Sequence, residues 1–437
     1  MRKGIRVLIG AGCAILLIVT WAIAVSMQTP AQRQLELIAT ATELMNDGIY
    51  VRAVPLLEEA SGINAVHAMI AEEKLKEAYL ALSDTRGFGR RYIGLLEKQM
   101  SRREASSSVF AEAANHHLEG SRIYEALYIL RQGIERTRCS DLVALYELNR
   151  YAIETNHTSY EYISKISGGT MQVRRDGMWG IASGNGTILI PCEYEKISTF
   201  SAGRAIAKRN GEIFAIDRNN NRIALLRGGA QDFGNLAYNR ISVLIDGIWR
   251  RSTGDFTIGS MEFDEILTYS YGYAAASVGG RWGVVGLGTD WIVQPEFDGI
   301  ITDELGRSYG QGAVFARMGD RVYLIVRGNI VGESFEDAHP FASEGYAAVR
   351  RNGRWGFVDT DGVMQIDFVF DDALSFGQHL AAVKVGEYWG YISRYGQIVI
   401  PAEYLVAKSF SNGQAPVMTQ RGWQIITLLE FKERTIL

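Results

Sequence analysis

The chain has 437 residues, 47% of them apolar and 22% charged, which is ordinary for folded protein but too long for one common core, so two or three domains or one domain plus an array are expected. A formal net charge of -4 supplies no concentrated basic face and argues against nucleic acid as a partner. Three scattered cysteines, Cys13, Cys139 and Cys192, are too few for a disulfide framework or a zinc site.

At the N-terminus, Arg2, Lys3 and Arg6 precede residues 7–27, a run of 21 without a charge. About 20 apolar residues span a bilayer as a helix, and a basic flank stays cytoplasmic. Residues 1–29 therefore read as a basic flank and transmembrane anchor with everything later extracytoplasmic. The small-x-small triplet Ala22-Ile23-Ala24 leaves signal cleavage and secretion as the alternative.

From Pro30 to about Lys165 the texture is all-α, with long amphipathic runs rich in Ala, Leu and Glu. Gly48, Tyr50, Ala53, Leu57 and Ala60 resemble the core of a tetratricopeptide repeat, in which small residues let two helices approach closely. Two weaker echoes follow: Gly87, Gly89, Tyr92, Leu96, Gln99, and then Ser121, Ile123, Ala126, Leu130, Gly133. The resemblance implies a short helical array with a groove for a protein or peptide partner; a generic helical bundle is the alternative. His116 and His117 are adjacent on a helix, point about 100° apart and do not chelate one metal.

From residue 170 to 437 the chain repeats. Trp355, Trp389 and Trp423 are each 34 residues apart, and the equivalent positions upstream are 179, 213, 249, 282 and 322, with Ile213 and Val322 replacing Trp. The clearest unit runs Arg175-Asp176-Gly177-Met178-Trp179-Gly180 and on to Ile190-Pro191-Cys192-Glu193-Tyr194, with Asp-Gly as a hairpin signal. These units, with linking stretches such as Phe200-Ser201-Ala202-Gly203-Arg204-Ala205, resemble the WG-repeat family, and eight units of three short strands are expected. Closure into a propeller-like ring, which removes most edge strands, is the expected architecture, and an open β solenoid is the alternative. Trp followed by Gly is read as packing, since an aliphatic residue can fill a core position but offers no aromatic face.

No constellation in the sequence carries chemistry. Glu193, Glu296 and Glu403 recur at one repeat position and fit turn capping or pairing with Arg; Asp371 and Asp372 are adjacent, so a strand sends them to opposite faces. No catalytic residue, cofactor or metal site is assigned. One place breaks the repeat: residues 299–312, holding Asp303, Glu304, Arg307 and Tyr309, close to the off-pattern Trp291. Insertions in repeat arrays form loops on one face, so Trp291, Asp303, Arg307 and Tyr309 are the candidate binding residues. The expected function is a membrane-anchored, non-enzymatic scaffold, with a partner at the helical groove and a cell-envelope ligand at the β repeats. The alternative is a cell-wall or glycan-acting enzyme, which needs several acidic residues converging at one ring mouth with shifted pKa values.

Overall fold

The computed structural model describes residues 29–226, 229–288, 290–342 and 344–431. The expected membrane anchor, residues 7–27, lies outside them; among the described residues no helix is long and apolar enough to cross a membrane. The chain divides into two compact units, residues 1–147 and 148–437.

The first unit consists of helices α1 (Pro30–Asn46), α2 (Tyr50–Gly62), α3 (Ala68–Ala81), α4 (Phe88–Met100), α5 (Ser107–Glu119) and α6 (Ile123–Thr137), followed by α7 (Ser140–Asn149). A capping box starts α1: Thr29 Oγ1 accepts from the Gln32 amide while the Gln32 side chain accepts from that of Thr29, with Pro30 at the first helical position. The small residues read from the sequence sit at the turns and crossings. Gly48 takes φ 74° and Gly87 φ 97°, and Ala53, Leu57, Ala60, Leu96, Ala126 and Leu130 are buried. A Cβ on Gly133 would lie 2.7 Å from Leu142 and 2.8 Å from Phe110, so only glycine permits that approach. By contrast, exposed Gly94 in α4 has open space around it and an ordinary helical φ. Gly94→Ala is therefore expected to raise the stability of this unit by about 0.5–1 kcal/mol, read as a higher midpoint in helical circular dichroism; a lower midpoint would contradict that.

The helical run stops at Asn149 rather than continuing toward residue 165, because Ile153–His157 is a strand of the second unit. That unit is an eight-bladed β-propeller, eight antiparallel sheets of four strands each. Blade 1 comprises, from the inner strand outward, Tyr162–Ile163, Thr170–Arg175, Met178–Ser183 and Ile188–Tyr194. Blades 2 to 7 follow over residues 196–225, 230–263, 265–297, 299–335, 337–370 and 372–404. Blade 8 takes three strands from 406–428 and its outer strand from Ile153–His157, which pairs in antiparallel register from Ile153 opposite Leu428 to His157 opposite Gln424. That pairing closes the ring, so the open solenoid is not formed. The expected three strands per unit are four, because most inner strands are only two residues long and leave no alternating pattern to read.

The tryptophan positions build the cores between successive blades. Trp179 clusters with Ile197, Ala205 and Ala207 of blade 2, Trp355 with Ala373, Phe376 and Val383 of blade 7, and Trp423 with Ile163, Met171 and Val173 of blade 1. Ile213 and Val322 occupy the same kind of position between blades 2 and 3 and blades 5 and 6.

The glycine after the tryptophan answers to the Pro-x-Glu-Tyr stretch. Trp179 pairs with Tyr194 and Ile181 with Ile190, so Pro191-Cys192-Glu193 bulges opposite Gly180 alone. A Cβ there would stand 2.5 Å from the Ile190 carbonyl oxygen and 2.9 Å from the Cys192 nitrogen. Blade 5 bulges in the same place with Tyr323 in the Gly position, and its bulge carries Gly332 at φ 69°. In blade 8 the borrowed outer strand runs without a register shift, and there the glycine gives way to Gln424.

Candidate functional site

The turn joining the inner strand to the second strand recurs on one face of the ring. In most blades it is a two-residue turn with both residues at positive φ, as in Gly168-Gly169, Ala202-Gly203 and Asn412-Gly413. Such turns favour Gly, Asn and Asp, whose side chains meet the least steric resistance at positive φ. Blade 5 differs: its connection spans residues 301–312, twice the length of 164–169 in blade 1.

That extra chain folds into the centre of the ring and plugs it. Asp303 Oδ1 accepts from the amides of Leu305 and Arg307, each at 2.9 Å, which shapes the loop, and Oδ2 takes a 2.8 Å ion pair from Lys165 Nζ of blade 1. Glu304 accepts from the Lys165 amide and from Lys408 Nζ of blade 8, and Arg307 donates to Ser167 Oγ. Leu305 is buried, and its carbonyl accepts from Asn235 Nδ2 of blade 3 and Thr268 Oγ1 of blade 4. One loop thus ties blades 1, 3, 4 and 8 together, including the two that meet where the ring closes. Burial alone would raise the Asp303 carboxyl, but Lys165 and Arg307 beside it outweigh burial and hold it below the usual carboxylate range.

The plug borders two cavities. One, of about 490 Å³, is lined by ionisable groups that include Lys165, Asp303, Glu304, His339, Asp372 and Lys408. Burial pushes the His339 imidazole down, and its ring stacks on Trp355 at 5.1 Å. Burial pushes the Asp372 carboxyl up against the opposing pull of the Ala373 amide and His339. Asp371, the neighbour of Asp372, lies in the link between the last strand of blade 6 and the first of blade 7 and accepts from Arg354 instead. The second cavity, of about 750 Å³, lies over blades 1 to 4 between Leu189, Phe200, Leu236, Tyr238, Tyr271 and Arg307.

The four residues picked from the sequence are not one cluster. Asp303 and Arg307 belong to the plug, and Tyr309 closes the same insertion with its ring 4.5 Å from Tyr273. Trp291 sits instead on the outer strand of blade 4, its ring 6.3 Å from Phe263, inside the core between blades 3 and 4. Reading the sequence overlooked Lys165 and Lys408 and gave Asp372 and His339 no role, because the four come together only in the folded ring. It also overlooked Tyr238 and Tyr271, whose signal was available: tyrosine at a turn position held elsewhere by Gly, Ala, Gln or Asn. Among the described residues no group of His, Cys, Asp and Glu is arranged to hold a metal ion, and Cys139 and Cys192 are free thiols.

Residues 179–212, 260–282, 328–355, 355–389 and 389–423 match the family model described as WG containing repeat. The C-terminal region thus carries WG-containing repeats. The unmatched stretches 213–259 and 283–327 hold Ile213, Trp249-Arg250, Val322 and the plug, the places where the pattern is broken. Solved structures similar to the chain include YCF48 bound to D1 peptide (12% identity, 63% of this chain and 96% of that one, TM-score 0.34). Others are a eukaryotic initiation factor (13%, 58% and 78%, TM-score 0.40) and the Pan2 WD40 domain of Neurospora crassa (10%, 63% and 91%, TM-score 0.31). No curated protein matches the chain in sequence.

Proposed function

We propose that this chain is a non-enzymatic binding scaffold whose propeller holds a protein or peptide partner on the plugged face. One observation carries the proposal: a cavity of about 750 Å³, within the range of small-ligand sites and lined by apolar and aromatic side chains with a few polar groups, opens on that face. The plug supports it, because a loop fastened at several points fixes one wall of the cavity before any ligand arrives. The helices add a second surface. The burial of Ala53, Leu57 and Ala60 and the positive φ of Gly48 support a tetratricopeptide-like array there. The uncharged run 7–27 supports attachment of both units to a membrane.

The test is capture of cross-linked partners from native membranes with the full chain. Leu189→Arg, which puts a charged side chain at the cavity wall, should abolish capture by the propeller face. Glu387→Arg, on the exposed turn of the opposite face, should leave it intact. Equal capture by both variants would sink the proposal. A glycan-acting enzyme is the second reading, favoured by one feature: Asp372 with its raised pKa beside His339 at the ring mouth. Glycan hydrolysis by the wild type that disappears in Asp372→Asn would establish it.

A further inference from the structure

Two tyrosines mark the rim of the larger cavity. Tyr238 and Tyr271 stand at the first turn position in neighbouring blades 3 and 4, at φ 52° and 50°, where the matching residues are Gly168, Ala202, Gln311, Gln378 and Asn412, none of them aromatic. A bulky side chain in this left-handed region is uncommon and strained. Both residues are about half exposed, at 53% and 51%, so burial does not compensate the strain. The Tyr238 hydroxyl accepts a 3.1 Å hydrogen bond from the Tyr271 amide, which sets the two turns side by side. Strain held at an exposed aromatic pair on a cavity rim points to a ligand.

The charge of the cavity says what kind. No Asp or Glu lines it, while Arg218 and Arg307 both do. Arg307 is held by Ser167 and faces Asp303, but Arg218 is exposed and stands in no ion pair among the described residues. The walls at Leu189, Ile190, Phe200 and Leu236 are apolar. A hydroxyl-rich glycan pressed against them would leave its hydroxyls without partners, whereas an apolar side chain is favourably buried there.

We infer that the cavity over blades 1 to 4 takes an acidic peptide segment, its carboxylate met by Arg218 and Arg307 and a neighbouring aromatic or aliphatic side chain laid against Tyr238 and Tyr271. This rests on the binding role proposed above and narrows it to a ligand class. Arginine recognises carboxylates through paired N–H donors, and tyrosine supplies a rigid contact surface at low entropic cost.

The experiment uses the full chain in detergent. The probes are a pool of acetylated hexapeptides combining Asp or Glu with Phe, Tyr or Leu, the same pool with Asn and Gln in place of the acids, and trigalacturonate. The acidic pool should bind at least tenfold more tightly than the neutral pool, and more weakly as salt rises. Arg218→Gln should cost about tenfold in affinity. Tyr238→Asn and Tyr271→Asn should weaken binding while raising Tm by a few degrees, since asparagine tolerates the turn. Equal binding of the two pools, binding of trigalacturonate alone, or an Arg218→Gln variant with unchanged affinity would each overturn the inference. A partner captured by the wild type and lost in Leu189→Arg, with no binding of the acidic pool, defeats this inference and leaves the binding role standing. Loss of both results defeats both.

Discussion

Gly283→Ala is expected to destabilise the propeller by about 3 kcal/mol, the upper end for forcing one methyl group into a packed site. The added Cβ would lie 2.4 Å from the Val293 carbonyl oxygen and 2.8 Å from Gln294 C and Pro295 N. All three are backbone atoms of the bulged outer strand, so no change of rotamer relieves the clash. Either the bulge straightens, which shifts the register that places Phe297 opposite Trp282, or the strands separate. Gln424→Ala is the control, since blade 8 has no bulge at the equivalent position; it should cost no more than about 1 kcal/mol, the worth of the Gln424 hydrogen bond to Thr419 Oγ1. Every tryptophan except Trp21 lies in the β unit, so the urea midpoint of tryptophan fluorescence reads both variants on the propeller itself. A Gly283→Ala midpoint equal to wild type would contradict the link between the Trp-Gly pair and the bulge.

The second large effect is expected at the plug. Asp303→Ala should cost about 2–3 kcal/mol, below the 3–5 kcal/mol typical of a fully buried broken pair because the Asp303 and Lys165 side chains keep 16% and 23% of their exposure. The loss has two parts: Lys165 is left without its carboxylate, and the Leu305 and Arg307 amides lose the acceptor that shapes the loop. Asp303→Asn keeps the acceptor and removes only the charge, so it should cost less. The pH dependence follows from the depressed Asp303 pKa. The charged carboxylate contributes stability that is fully present above its ordinary value of 3.8 and is lost as pH falls through the lower value of the folded state. Wild type should therefore lose stability more steeply than Asp303→Asn below about pH 4. Parallel curves for the two proteins would mean that the ion pair contributes nothing to the plug.

The period of the ring was legible because tryptophan and glycine perform one packing task in each unit, and repeated tasks leave repeated letters. Even the failures were informative: Ile213 and Val322 keep the core filled, and the glycine missing after Trp423 reflects an outer strand borrowed from the other end of the unit. That strand was not legible. Ile153–His157 carries polar and charged residues on an exposed edge, so nothing in its composition separates it from the end of a helical domain. The break at residues 299–312 was visible as an insertion, but its destination was not. Asp303 meets Lys165 and Glu304 meets Lys408 across more than 100 positions of sequence, contacts that exist only once the ring is closed. Tyr238 and Tyr271 could have been found by comparing the turns with one another instead of comparing the tryptophans.

The most direct measurement of the face as a binding surface is photo-cross-linking from the intact chain in the cells that express it, with a benzophenone side chain placed at position 238 or at position 387. The cavity rim should yield a discrete adduct from 238 that acidic hexapeptides compete away, and none from 387 on the opposite face. No adduct from 238, or the same adducts from both positions, would contradict a binding face built around the plug.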